Sequence, residues 1–255
     1  MPVTIPGPLR RLSQAEFREV AYEVMGQMFA IHRDLGRFFD EAVYKRELAR
    51  RLPDVRLEVP IEIAFGPFRK YLFLDAVAGG GGAFEFKAVD RLGGPHRAQL
   101  LQYLMLADLA HGKLVNLRPP QVEHEFVNTT LRLADRTRFE VRSDRWDDAV
   151  PELAALREFM TALLRDLGTG LMTTVYEEAA AQTETLIAVS VDGHALGDQQ
   201  VRRVAPETAL QVTAFDSLNE GYEVHARRWL AHVNLRAIAW IDVGRRVVTF
   251  TVIHK

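Results

Sequence analysis

Three residues that could do chemistry together lie in the segment DAVAGGGGAFEFKAV, residues 75–89, where an aspartate precedes a glycine run and an apolar strand pattern follows. Side chains alternate between the two faces of a strand, so Glu85 and Lys87 share one face while the phenylalanines beside them occupy the other. If the segments on either side of the glycines pair antiparallel, Asp75 lies on the adjoining strand, near Glu85.

Two carboxylates at close range repel each other, and a shared proton or a shared hard cation relieves the repulsion. Mg²⁺ is suited to such a pair, because it needs only one or two carboxylates and keeps waters and substrate phosphates as its other ligands. Lys87 would then supply a point charge that holds an attacking water or offsets transition-state charge. The chemistry would be metal-assisted phosphodiester hydrolysis.

The spacing D-x9-E-x-K is short and common, and it leaves a simpler alternative open. In that alternative Glu85 and Lys87 form a surface pair on an edge strand, worth less than about 1 kcal/mol, and Asp75 faces solvent.

The composition of the 255 residues, 48% hydrophobic and 26% charged, is that of a globular protein. Because the chain has no cysteine, disulfides, thiolate catalysis and Cys-ligated zinc are excluded. The formal net charge of -2 does not indicate non-specific coating of nucleic acid. No apolar run is long enough to cross a membrane and the N-terminus lacks a signal-peptide pattern, so we expect a cytoplasmic protein.

The hydrophobic periodicity predicts helices and strands in a definite order. A capping box at Ser13 and Glu16 opens a helix whose apolar stripe is Phe17, Val20, Ala21, Val24, Met28 and Ile31, and which breaks near Gly36 and resumes at 41–52. Next come strands at 55–65, 70–78 and 83–89, a helix at 95–112, and strands at 113–117 and 121–131. The polar residues 131–152 are predicted to connect to a new helix near Val150.

An internal repeat divides the chain. RDLGRFFDEAVY (33–44) aligns with RDLGTGLMTTVY (165–176) at an offset of 132 residues, and AFEFKAVDRL (83–92) aligns with ALQVTAFDSL (209–218) at an offset of 126. Because the matches are collinear, we predict two copies of one unit. The predicted boundaries are 1–132 for the first domain, 133–152 for a linker and 153–255 for the second copy.

Residues 24–130 resemble the bacterial GxxExxY family, a branch of the PD-(D/E)XK nuclease-like superfamily. The residues that carry the resemblance are Gly36, Glu41, Tyr44, Asp75, Glu85, Lys87, Gln99, Tyr103 and Leu104, with KLVNL (113–117) in place of the family's LINF-type strand. The chain departs from the family pattern at Phe38, where the family has its first glycine.

The resemblance implies an α/β fold made of tandem restriction-endonuclease-like αβββαβ units, each a mixed sheet flanked by helices. It also implies a centre that depends on Mg²⁺ or Mn²⁺, with Asp75 and Glu85 as metal ligands and Lys87 activating water. Glu41 from the first helical region and Gln99 from the next helix would assist. The implied substrate is DNA or RNA.

The second copy lacks every one of these polar residues. At the two offsets the positions of Asp75, Glu85, Lys87, Gln99 and Glu41 are taken by Val201, Gln211, Thr213, His225 and Thr173, while apolar positions stay apolar. We therefore expect a degenerate copy that keeps the packing and lacks the chemistry, and that gives one chain the pseudo-twofold other nucleases obtain by dimerising.

The sequence predicts a metal-dependent nuclease, and two alternatives stay open. In one, the nuclease fold is kept as a module that binds nucleic acid or a protein partner, with hydrolysis vestigial. In the other, the chain is a structural interaction protein without affinity for divalent metals.

Overall fold

The computed structural model describes residues 2–215 and 220–255, and the chain divides into two compact units, Met1–Leu133 and Ala134–Lys255. The aligned segment 209–218 ends in residues 216–218, which lie outside the described residues.

Unit 1 begins with a short strand and two helices. Their bounds are β1 (Val3–Thr4), α1 (Gln14–Leu35) and α2 (Glu41–Arg51). The predicted capping box is confirmed: the Glu16 N–H donates to Ser13 Oγ, and the Ser13 N–H donates to Glu16 Oε2 at 2.7 Å. The helix ends where Gly36 takes φ 74°, a conformation that glycine adopts without strain, so the predicted break is confirmed as well.

The apolar stripe of α1 packs onto the sheet as its period predicts. Phe17, Ala21, Val24, Met28 and Ile31 are buried, and Val20 is partly buried against the same core. This core includes Phe84 and Phe86, so the face of the strand that carries the phenylalanines packs into the core, and Glu85 and Lys87 lie on the opposite face.

The described residues of unit 1 form one six-stranded mixed sheet in the order β1-β2-β3-β4-β5-β6. The remaining bounds are β2 (Arg56–Phe65), β3 (Phe68–Ala78), β4 (Gly82–Lys87), α3 (Gly94–Leu106), β5 (His111–Asn116) and β6 (Glu123–Asn128). Neighbouring strands are antiparallel except β4 and β5, which are parallel and joined by α3. The predicted strand meander is confirmed.

Helix α3 ends earlier than predicted, at Leu106 instead of residue 112. The chain leaves the helix through Asp108, which has φ 50°, while the Leu109 N–H donates to the Leu104 carbonyl at 2.9 Å. The apolar run continues from the helix into β5, so the sequence pattern does not mark the boundary.

After the short helix α4 (Leu133–Arg136) and the strand β7 (Glu140–Arg145), unit 2 has the same order as unit 1: two helices, three strands, one helix and two strands. The remaining bounds are α5 (Pro151–Leu167), α6 (Thr173–Ala180), β8 (Thr183–Val191), β9 (His194–Ala205), β10 (Thr208–Thr213), α7 (Glu220–Ala231), β11 (Ala237–Val243) and β12 (Val247–His254). Its described sheet has the order β7-β12-β11-β10-β9-β8. The run β8 to β12 pairs with the same senses as β2 to β6, and the parallel pair is again the one spanned by a helix.

The segment 133–152, predicted as a linker, contains α4 and β7, and β7 pairs parallel with β12 at the sheet edge. The strand EVRSDR has no buried side chain, so hydrophobic alternation does not reveal it. The helix predicted near Val150 begins at Pro151. The predicted α/β class, with mixed sheets flanked by helices, is confirmed in both units.

Among the described residues, no helix is both long enough and apolar enough to span a bilayer.

Candidate active site

Strands β3 and β4 place Asp75 opposite Glu85. The register pairs Ala76 with Phe84 and Val77 with Ala83, so the next position inward sets the two acidic residues side by side on the face away from α1. This is the arrangement that the sequence predicts.

The glycine turn between β3 and β4 is held by close packing against the N-terminal segment. A Cβ on Gly79 would lie 2.4 Å from Val20 Cγ2, and one on Gly81 would lie 1.8 Å from the Arg10 carbonyl oxygen. The Arg10 N–H also donates to the Gly80 carbonyl at 2.8 Å. Glycine is required because the backbone passes this close, and the contact fixes the hairpin that carries the two carboxylates.

Asp75 is buried and both of its oxygens have hydrogen-bond donors. The Lys45 ammonium donates to Oδ1 at 2.7 Å, and the Phe86 N–H donates to Oδ2 at 2.8 Å. Lys45 also bonds the half-exposed Glu58, which lies at the register position opposite Asp75 and has φ 48°. Burial lowers the pKa of Lys45, but the hydrogen bonds to Asp75 and Glu58 outweigh it and the net direction is upward.

Glu85 is 1% exposed and has a hydrogen bond on one oxygen. The Lys87 ammonium donates to Oε1 at 2.6 Å, whereas Oε2 is buried without a hydrogen-bond partner among the described residues. Burial, and next the charge of Asp75, raise the pKa of Glu85 to about 7 despite the opposing effect of Lys87. An orphaned, buried carboxylate oxygen is costly, so this atom is available to a hydrogen-bond donor or a cation.

Lys87 is largely buried beside the carboxylates. Burial lowers its pKa, but the charge of Glu85 and the hydrogen bond to it, together with the charges of Asp75 and Glu41, outweigh that effect and raise it. Lys87 is therefore a protonated donor near neutral pH.

Glu41 begins α2 and reaches the end of β4, as predicted. Its Oε1 accepts the Ala88 N–H at 3.0 Å, and its charge raises the pKa of Glu85. The structure thus brings a third carboxylate to the same end of β4.

Gln99 is not in direct contact with the carboxylates. In the described part of the chain its side-chain amide donates to the Tyr103 hydroxyl, at 2.9 Å, and no hydrogen bond joins it to Asp75, Glu85 or Lys87. The pKa of Tyr103 is raised mainly by burial and also by the negative charges of Glu85 and Asp75. The phenol therefore lies close enough to the carboxylates to be affected by their charge. Gln99 therefore reaches the centre through Tyr103.

Sequence reasoning missed Lys45 as a member of the site. One signal could have found it: Lys45 lies four residues after Glu41, so both side chains share one face of α2. Lysine is also rare here, with five in the chain.

The donor set fits a divalent cation held by few protein ligands. Within residues 2–215 and 220–255 no group of three or more His, Asp or Glu side chains converges on a metal position. Mg²⁺, however, is commonly held by one or two carboxylates and water. Glu85 offers an unpartnered oxygen, and each oxygen of Asp75 keeps a second lone pair.

Residues 18–128 match the PD-(D/E)XK nuclease superfamily. The match runs from the first turns of α1 to the end of β6 and so includes every residue of the cluster. The two mixed α/β sheets are consistent with the nuclease-like fold of that superfamily.

Two other comparisons found little. No curated protein shows significant similarity to the chain. A solved structure described as "Crystal structure of SSO0001" is 22% identical, with a TM-score of 0.30. The similarity covers 48% of this chain and 61% of that one, so this chain spans less than two thirds of it.

Proposed function

We propose that unit 1 is a divalent-metal-dependent nuclease that hydrolyses phosphodiester bonds in DNA or RNA, and that it belongs to the GxxExxY branch. The observation that carries the proposal is the group formed by the buried Asp75 and Glu85 with the half-buried Lys87, in which one oxygen of Glu85 has no hydrogen-bond partner among the described residues. Burying two carboxylates and an ammonium together costs stability, and a chemical role accounts for that cost.

In this proposal Asp75 and Glu85 hold Mg²⁺ or Mn²⁺. Such a cation supplies Lewis-acid polarisation of a phosphate and lowers the pKa of a water. Lys87, already a donor to Glu85, orients the attacking water or stabilises negative charge on the phosphate. Lys45 orients the Asp75 carboxylate through the bond from its ammonium to Oδ1.

Glu41 and Gln99 assist in different ways. Glu41 holds the backbone just beyond β4 and adds negative charge that favours a bound cation. Gln99 orients the Tyr103 hydroxyl, which can donate to a phosphate oxygen. Their roles follow the family resemblance and, for Gln99, the contact with Tyr103.

We also propose that unit 2 is a degenerate copy of unit 1. Hydrogen bonds that recur at the predicted offsets support this. Tyr44 donates to the Gly36 carbonyl and Tyr176 to the Gly168 carbonyl, at 2.8 and 2.7 Å, both at an offset of 132. Each phenol also accepts a backbone N–H five residues before it in sequence.

The sheet repeats a second bond at the offset of 126. The Val89 N–H donates to Asn116 Oδ1 at 3.1 Å, and the Phe215 N–H donates to Asp242 Oδ1 at 3.0 Å. In place of Lys87, unit 2 has Thr213, whose hydroxyl donates to Asp242 at 2.6 Å. These bonds favour shared ancestry in which the scaffold was retained and the catalytic groups were lost.

A second candidate is a module that binds nucleic acid or a protein partner without cleaving it. The pairing of Lys45 with Asp75 favours it, because an ammonium already provides the charge that a metal would provide. In both candidates we place the protein in the cytoplasm.

Cleavage assays test the first candidate. Single-stranded, duplex and branched DNA and RNA are incubated with Mg²⁺ or Mn²⁺ and one of four proteins: wild type, Asp75→Asn, Lys87→Met or Glu62→Gln. Glu62 is the matched carboxylate control outside the centre, because it bonds the exposed Tyr71 on the neighbouring strand. Cleavage by wild type and Glu62→Gln alone is the expected result. Absence of cleavage supports the second candidate. If calorimetry also detects no binding of Mg²⁺ or Mn²⁺, the metal centre is refuted.

A further inference from the structure

A groove lies on the face of the unit 1 sheet opposite to Glu85, beside the edge strand β6. The strand register aligns Phe84, Lys113 and Phe126 in one row across β4, β5 and β6. Helix α1 covers the buried Phe84, but Phe126 stays 52% exposed. Lys113 lies between them.

Lys113 is a buried cation without an anionic partner. The residue is 4% exposed, and its Nζ lies 3.7 Å from the centre of the Phe126 ring. No carboxylate or hydrogen-bond acceptor pairs with it in the described parts of the chain, 2–215 and 220–255. Burial lowers the pKa of Lys113, as expected where no negative charge offsets the loss of water.

An open cleft of about 490 Å³ lies next to this lysine, between α1 and strands β5 and β6. Arg18, Tyr22 and Phe29 line it from α1, and His124 joins Lys113 and Phe126 on the sheet side. Within the described residues no acidic side chain lines it. Tyr22 is 83% and Phe29 45% exposed, so flat aromatic surfaces stand beside the positive charges.

A second cleft of about 340 Å³ adjoins the first and shares Arg18 and Phe126 with it. It is lined as well by His111, whose ring stacks on Phe17 at 5.5 Å, and by the polar Gln14 and Asn128. The two clefts, here called the α1–β6 groove, adjoin at Arg18 and Phe126 and are lined by basic, aromatic and polar groups.

Gly26 leaves room in the first cleft of the groove. It lies within α1 where glycine is unfavourable by about 1 kcal/mol relative to alanine, and a Cβ at this position would meet no atom of the described residues within 4 Å. A side chain placed there would therefore project into the first cleft.

We propose that the α1–β6 groove binds a single strand of nucleic acid, with bases stacked on its aromatic side chains and phosphates near Lys113 and Arg18. Charge complementarity selects an anion, and the exposed rings select a ligand with flat apolar parts, the combination that single-strand binding surfaces use. The choice of nucleic acid rests on the proposed function, whereas the anionic and flat character rests on the groove itself. The groove is a binding site distinct from the carboxylate centre.

Fluorescence anisotropy of the full chain with labelled single-stranded DNA and RNA of about 12 nucleotides tests this inference. EDTA is present throughout, so that cleavage plays no part. Gly26→Leu fills the groove, Lys113→Met removes its buried charge, and Gly26→Ala is the matched control. We expect Gly26→Leu and Lys113→Met each to weaken binding by about tenfold and Gly26→Ala to stay within about twofold of wild type.

Salt and a competitor identify the ligand. Strand binding must weaken with salt, and Lys113→Met should reduce the slope of log affinity against log salt by about one. Equal affinity for Gly26→Leu and wild type would overturn the inference, as would binding that strengthens with salt, the behaviour of an apolar partner. Adenosine monophosphate binding as tightly as the strand would overturn the assignment to a strand.

Strand binding in EDTA and cleavage with metal are measured separately, so this inference and the proposed function can fail independently. Metal-dependent cleavage by wild type together with unchanged strand affinity in Gly26→Leu would reject the groove and leave the nuclease proposal standing. If Gly26→Leu binds the strand more weakly than wild type and no metal supports cleavage, the groove is supported and the nuclease proposal is rejected.

Discussion

Replacing Lys45 with methionine should destabilise unit 1, because it leaves the Asp75 carboxylate buried without its cation. The two charged atoms are 2.7 Å apart and the side chains are 10% and 11% exposed. At an effective dielectric constant of about 20, that separation corresponds to an attraction of about 6 kcal/mol, which the loss of hydration largely offsets. Removing one partner of a buried pair costs about 3–5 kcal/mol.

We expect the lower end of that range, about 3 kcal/mol, since the Phe86 N–H still donates to the other oxygen of Asp75. The charge is thus still partly solvated by the backbone after the substitution. The double variant Lys45→Met with Asp75→Asn has no unpaired buried carboxylate. Its loss of unfolding free energy should therefore be about 2 kcal/mol smaller than the sum of the two single losses.

Urea unfolding followed by far-UV circular dichroism measures these changes. All three tryptophans, Trp146, Trp229 and Trp240, lie in unit 2, so their fluorescence reports that unit and serves as an internal reference. Glu58→Gln is the matched control, because it removes the other carboxylate that bonds the Lys45 ammonium. The Glu58 side chain is 53% exposed, so this substitution should lower the free energy of unfolding by less than about 1 kcal/mol. Strictly additive single effects, or equal costs for Asp75→Asn and Glu58→Gln, would refute the reasoning.

Three further predictions concern the same framework. Without metal, the free energy of unfolding should fall by about 3 kcal/mol as the pH rises from about 4.5 through 7. The reason is that the folded protein holds the Glu85 proton up to about pH 7, whereas the unfolded chain loses it near pH 4.5. In Glu85→Gln the urea midpoint should stay flat over this pH range. Lys87→Met should reduce metal-dependent cleavage by at least about a hundredfold, measured under single-turnover conditions, and an unchanged rate would remove Lys87 from the mechanism. Tyr44→Phe and Tyr176→Phe should each destabilise their own unit by about 1–3 kcal/mol in thermal unfolding, because each buried phenol bonds two backbone groups. If only one of the two variants were destabilised, the proposed common scaffold would be contradicted.

Much of the framework of unit 1 follows from local sequence. The stripe from Phe17 to Ile31 determines which face of α1 is buried, and alternation in 83–89 determines that Glu85 and Lys87 face away from it. The glycine run marks the turn that sets Asp75 beside Glu85. These features depend on the helical and strand periods and on backbone freedom, which are properties of neighbouring residues.

Strand β7 illustrates what local sequence does not reveal. Apart from Val141 its side chains are polar, and all of them are half-buried or exposed. It is a strand because its backbone pairs with β12, about a hundred residues later in the chain. Backbone pairing leaves no hydrophobic signature when neither face is buried.

The sequence by itself determined the α/β order of the elements and the residue types Asp75, Glu85 and Lys87. Tertiary structure alone decided that Lys45 pairs with Asp75, that Gln99 donates to Tyr103, and that Oε2 of Glu85 has no hydrogen-bond partner among the described residues. The physical reason is that a local pattern specifies which way a side chain points, whereas its burial and its partners depend on elements far away in the chain.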